Sequence, residues 1–180
     1  EPVHDWQVIT NENGMDCFDV TLDELYATVK SVFGDEMIYS SYIADAMIPK
    51  QEGIALMKVD MSRIPHVTLD DEVTIYAFKD SNDKVANVQV RGTVDKKDLI
   101  IEDFKRICQE IDPELADPVS SLEQSTNGCC GEVNVLLQER SLTLFTSEEE
   151  MSISIRPFTG SVESWQRDID EYCTVCSPTV

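Results

Sequence analysis

Positive charge and histidine are what this sequence has least of. Its 14 lysines and arginines face 35 aspartates and glutamates in 180 residues, which leaves a formal charge of −21, and there are only two histidines. A surface so acidic repels phosphate backbones and anionic lipid, which argues against direct binding to nucleic acid or to a charged membrane. Long apolar runs are missing as well. No stretch reaches the 18 or so residues that a membrane-spanning helix needs. The seven glycines are scattered, so there is no glycine-rich phosphate loop. Asn-x-Ser/Thr sequons are absent too, a small count against a eukaryotic secretory route.

The scarcity of histidine weighs directly on catalysis. A Ser-His-Asp or Cys-His arrangement has only His4 and His66 to draw on. His66 lies in Arg63-Ile64-Pro65-His66, which reads as a strand end or turn with the imidazole at the surface. The sequence therefore predicts a protein that is not an enzyme and carries no cofactor or metal.

What is present is enough to fold. The hydrophobic fraction of 42% lies just under the globular average, so a wholly disordered chain is not expected despite the charge. The charge is uneven. Residues 1–57 hold 2 basic and 11 acidic side chains, residues 58–106 hold 9 and 10, and residues 107–180 hold 3 and 14. Folding must bring two acidic ends onto one body around a nearly neutral middle.

Periodicity supplies the elements. Thr21 and Glu24 have capping-box spacing ahead of Leu22, Leu25, Val29, Val32 and Phe33, and Gly34 follows as a C-cap, so a helix is predicted over Thr21–Phe33. A second runs from Asp98 to Ile111, with Ile100, Ile101, Phe104, Ile107, Cys108 and Ile111 on one face and Pro113 beyond its end. A third covers Val162–Cys173. Two-residue alternation marks strands over Gly53–Met61, Glu72–Phe78 and Lys84–Val94, then over Glu132–Gln138, Ser141–Phe145 and Met151–Arg156. Asp80-Ser81-Asn82-Asp83 is a turn closing a hairpin. The order helix, three strands, helix, three strands, helix predicts an α+β fold: mainly antiparallel sheet, with three amphipathic helices packed on one side. Residues 112–131 read as a long loop, with a helical turn at Val119–Gln124. The whole chain, 1–180, is taken as a single domain, because residues 132–180 alone would be too few to hold a core.

The six cysteines are Cys17, Cys108, Cys129, Cys130, Cys173 and Cys176. An even number, together with a chain that opens on Glu1 as a processed one would, favours disulfides and an extracellular, secreted location; 15 pairings are then open. The reduced alternative rests on Cys108 and Cys173, which fall on apolar helix faces where a free thiol acts as a small hydrophobe. Cys173-Thr174-Val175-Cys176 is a Cys-x-x-Cys at the closing end of a helix. Both the dipole there and the acidic neighbours oppose a thiolate, unlike a redox motif that opens a helix. A zinc site from Cys129, Cys130, Cys173 and Cys176 has a single correct spacing. Asp80-x-Asn82 starts like a calcium loop but lacks the turn glycine and closing glutamate.

One resemblance runs through part of the chain. Gly53-Ile54-Ala55-Leu56-Met57-Lys58-Val59-Asp60-Met61-Ser62 resembles the core strand of DNA sliding-clamp domains. The helix Glu102-Asp103-Phe104-Lys105-Arg106-Ile107-Cys108, followed by paired strands, repeats the same order. The resemblance covers about a third of the chain by pattern and implies a protein that is acidic overall. Clamps also need basic residues on the helices lining the DNA channel, whereas the first and third helices here each carry a single basic residue.

These features point to a non-enzymatic acidic binding or inhibitory module that meets a basic protein partner through electrostatic recognition. The candidate contacts are Asp70, Asp71 and Glu72, and Glu148, Glu149 and Glu150, both placed at sheet ends where loops reach outward. An intracellular acidic interaction protein, either a DNA mimic or a clamp-like subunit, is the alternative. A cysteine-based redox or zinc protein is the third. The oligomeric state is left open.

Overall fold

The structure is a computed structural model that describes residues 6–34, 38–42, 64–68, 73–80, 82–115 and 132–176, with the backbone alone for 38–42, 64–68 and 172–176. The chain begins with a small hairpin of β1 (Val8–Thr10) and β2 (Asp16–Phe18). Helix α1 (Leu22–Phe33) follows, and its capping box forms in full: Glu24 N donates to Thr21 Oγ1 while Glu24 Oε1 accepts from Thr21 N. At its other end Gly34 takes φ +92° and donates its N–H to Lys30 O at 2.8 Å. That positive φ is the conformation a glycine tolerates and a side chain resists.

A seven-stranded antiparallel sheet carries the rest. Its strands are β3 (Ile38–Tyr42), β4 (Ile64–Thr68), β5 (Thr74–Lys79), β6 (Val85–Thr93), β7 (Glu132–Leu137), β8 (Arg140–Thr146) and β9 (Glu150–Pro157). Their spatial order is β3-β4-β5-β6-β9-β8-β7. Helix α2 (Lys97–Ile111) connects β6 to the 3-10 turn at Pro113–Leu115, and α3 (Val162–Cys176) closes the described chain. The fold is α+β with antiparallel sheet and three helices, as the periodicity predicts.

The core lies between α2 and one face of the sheet. Ile100, Ile101, Phe104, Ile107, Cys108 and Ile111, the predicted apolar stripe of α2, are all buried. They meet Ile75 and Ala77 of β5, Val88 and Val90 of β6, Ile153 and Ile155 of β9, and Leu142 and Leu144 of β8. Leu25 and Val29 extend this layer from α1. Arg106 joins the two helices: its guanidinium stacks on Phe33 and donates to Val32 O at 2.7 Å, satisfying a carbonyl that the end of α1 leaves open. Trp6 and Phe18 pack edge to face under the same layer, and Arg140 reaches across the core to donate to Trp6 O.

Helix α3 departs from the one-sided arrangement. Ser141 neighbours Leu142 on β8 and so points to the opposite face, where its Oγ accepts from Trp165 Nε1 at 2.9 Å. The anchor is a buried indole with its one donor satisfied. Gly160 permits the turn into this helix, because a Cβ there would come within 2.8 Å of the Phe158 ring and Ser164 Oγ. The hairpin β1–β2 and strands β3 and β4 are additions to the sequence reading. They are three to five residues long, or carry Pro65, and such segments give little alternation to read. Gly53–Met61, Val119–Gln124 and most of the 112–131 loop lie outside the described residues.

Candidate functional site

Strand alternation fixes what the second face of the sheet presents. Across β5, β6, β9, β8 and β7 the register lines up Tyr76, Gln89, Ser154, Thr143 and Asn134 in one row. A second row runs Thr74, Arg91, Ser152, Phe145 and Glu132. The first face is aliphatic; this one is a grid of hydroxyls, amides and aromatics. Several of these groups satisfy one another: Gln89 Nε2 donates to Ser152 Oγ at 3.2 Å and Thr143 Oγ1 to Asn134 Oδ1 at 2.6 Å. Under α3, Arg156 stacks on Phe158. Burial pushes the Arg156 pKa down, while Asp168 of α3, Asp16 of β2 and Glu132 of β7 pull the other way.

Of the acidic residues singled out in the sequence, Glu148, Glu149 and Glu150 meet this face at its rim. Glu148 and Glu149 form the β8–β9 turn, and Glu150 opens β9; all three are exposed. Ser147 holds the turn: its Oγ accepts from Glu150 N at 3.0 Å, and its own N–H donates to Glu150 O at 2.8 Å. Glu149 O accepts from Val94 N, tying the turn to the end of β6. Among the described residues, only Glu150 of the three has a cation beside it, Arg91 at 2.9 Å. Arg91 in turn lies 5.4 Å from the centre of the Tyr76 ring. Thr74, Tyr76, Arg91, Gly92, Thr93 and Glu150 line a shallow cleft of about 240 Å³ here. Asp70, Asp71 and Glu72 lie outside the described residues.

The second acidic turn behaves differently. Asp80 is 1% exposed. Its Oδ1 accepts from Asn82 N and Lys84 N, each at 2.9 Å, and its Oδ2 accepts from Asn11 Nδ2 at 3.1 Å and Cys17 Sγ at 3.5 Å. Burial pushes this carboxyl up, but the donors outweigh it and the pKa falls below the ordinary aspartate value. Oδ1 closes the β5–β6 turn on itself and Oδ2 ties it to Asn11 and Cys17 of the β1–β2 hairpin, so the resemblance of Asp80-x-Asn82 to a calcium loop is a resemblance to a turn. Among the described residues no group of three or more His, Cys, Asp or Glu is placed to hold a metal ion.

The cysteines divide by what surrounds them. Cys17 and Cys108 are buried free thiols. Burial, then the charge and hydrogen bond of Asp80, push the Cys17 thiol up to about 12, and burial pushes Cys108 up as well. Neither is a nucleophile at neutral pH. Cys173 and Cys176 fall in the last turns of α3, the helix end that opposes a thiolate. Cys129 and Cys130 lie outside the described residues.

Sequence reasoning missed Asp80 as a buried acid and Arg140 as a core cation. The Asp-x-Asn turn hinted at the first. Nothing local signals the second, since Trp6 is 134 residues away. Among the described residues no helix is long and apolar enough to cross a membrane. Comparison with known proteins gives no significant match, whether to a family model, a curated protein or a solved structure.

Proposed function

We propose that this protein is a non-enzymatic acidic binding module that engages a basic protein partner through the sheet end at Glu148-Glu149-Glu150. The observation that carries the reading is three consecutive exposed carboxylates on a turn fixed by Ser147 and Val94, with a single arginine beside them among the described residues. A hydrogen-bonded turn presents the charges, and the net charge of −21 extends the same field over longer range. Exposed charge of this kind steers encounter more than it holds a complex. The test is association kinetics with a basic partner protein. Raising salt from low to physiological should slow the on-rate about tenfold or more, and changing Glu148, Glu149 and Glu150 together to Gln should slow it at low salt. An on-rate indifferent to both changes refutes the proposal.

A second reading, a clamp-like subunit, is favoured by one observation: α1 and α2 pack together on one face of an antiparallel sheet, in the helix-strands-helix-strands order of the resemblance. The exposed charges of that pair are Asp23, Glu24, Asp98 and Glu102 against Lys30, Lys97 and Arg106, which is no basic lining. A closed ring of copies in sedimentation would favour this reading, and a 20.3 kDa monomer would count against it.

A further inference from the structure

Strand β7 ends the sheet, and among the described residues no further strand pairs with its outer side. Its loop to β8 is the two-residue turn Gln138-Glu139, with φ +46° and +64°, as a type I′ hairpin requires. In such a hairpin the residues flanking the loop exchange both backbone hydrogen bonds, and the pattern alternates along the pair. Leu137, Val135 and Val133 therefore bond to Arg140, Leu142 and Leu144 of β8. Asn134 and Leu136 turn their N–H and C=O groups outward.

Natural sheets protect such an edge with charged side chains along the strand, lysine above all, or with proline, a bulge or a very short strand. β7 has none of these over Val133–Leu137, its one charge being Glu132 at the first position, and its register with β8 is unbroken along all six residues. Val135 and Leu137 are only partly buried on the core face, and Leu136 is half-buried on the other. Both ends of the strand are acidic. Glu148 and Glu149 sit at the end where β7 begins, one strand away, because Glu132 pairs with Phe145 just before their turn. Glu139 lies at the other end, with Glu114 beside it through the hydrogen bond from Gln138.

We infer that the edge of β7 receives an extended segment of the partner as an added strand, one that alternates apolar residues and carries basic residues at both ends. This rests on the acidic-module reading and specifies how its partner is held. The backbone ladder would supply affinity, the half-buried Val135, Leu136 and Leu137 would select apolar side chains, and the flanking carboxylates would fix the placement. Charge complementarity picks this occupant over a second copy of the chain, whose own β7 edge would bring like charge to both ends.

The test uses the full chain and a fluorescent peptide of alternating valine and threonine over about six residues, with two lysines at each end. A matched peptide with N-methyl groups on alternate backbone nitrogens is the control. Binding of the first, at least tenfold weaker binding of the second, and slowed hydrogen exchange at the Asn134 and Leu136 amides in the complex are the expected results. Equal affinity of the two peptides, or binding that leaves those amides unchanged, overturns strand addition. In that case loss of affinity in the Glu148→Gln, Glu149→Gln, Glu150→Gln variant would still support the charge reading. Absence of binding by either peptide, with a basic partner protein still bound in the salt-dependent manner above, overturns strand addition alone.

Discussion

Two acidic turns of this molecule, 80–83 and 147–150, look alike in sequence and do opposite things. At 80–83 the leading aspartate is buried and surrounded by donors from Asn11, Cys17, Asn82 and Lys84. At 147–150 the leading serine organises the backbone and the three glutamates stand in solvent. The difference lies in what is across from each turn. The β1–β2 loop reaches over the first and supplies donors, so the carboxylate becomes part of the frame. The end of β6 touches the second through backbone and through Arg91, which pairs with Glu150, so Glu148 and Glu149 keep their field for something else. An acidic cluster in a sequence is thus two different objects, separated by whether another segment covers it.

Mutation should break this contrast most strongly at Asp80. Asp80→Ala leaves two backbone N–H groups and Asn11 without their acceptor and should cost about 2–3 kcal/mol in urea unfolding. The same residue sets an acid limb. Its folded pKa is depressed, so its contribution is complete above the unfolded carboxyl value of about 3.9 and is lost as pH falls through the lower folded value. Stability measured against pH should flatten there in Asp80→Ala. Cys17, its partner, gives the alkaline counterpart. The thiol is raised from 9.0 to about 12, so its contribution is intact below pH 9.0 and declines as the pH rises from there towards 12. Cys17→Ala should remove part of that alkaline loss, leaving the share due to Cys108.

Smaller effects sharpen the comparison. Trp165→Phe loses the donor to Ser141 and should cost about 1 kcal/mol, read as a lowered midpoint with an unchanged slope in urea. The triple change of Glu148, Glu149 and Glu150 to Gln should move stability by less than about 0.5 kcal/mol, since the ion pair it breaks, Glu150–Arg91, is exposed to solvent. A large loss in that variant would mean the second turn is framework like the first.

Much of the fold was legible because the apolar residues keep time. The stripe from Ile100 to Ile111 repeats at three- and four-residue steps, and the structure buries every member. Met151, Ile153 and Ile155 alternate with Ser152, Ser154 and Arg156, and the two sets do face opposite sides of the sheet. The capping box of Thr21 and Glu24 is a local interaction spelled by four residues, so it formed as read. Short strands failed the same reading for a physical reason: three residues, as in β1 and β2, complete barely one alternation.

The sequence by itself determined the net charge, the helix ends, the strand alternation and the absence of a long apolar span, because each depends on residues within a few positions of one another. Only the tertiary structure decided that β9 inserts between β6 and β8, leaving β7 at the edge, and that α3 lies on the second face, where the buried Trp165 bonds to Ser141. It likewise decided that Asp80 is buried while Glu148 is not. These are contacts between segments up to 69 residues apart for Asp80 and Asn11, and 134 apart for Arg140 and Trp6. Periodicity along the chain says which face of an element is apolar. Which other segment comes to cover it is set by the whole molecule's packing.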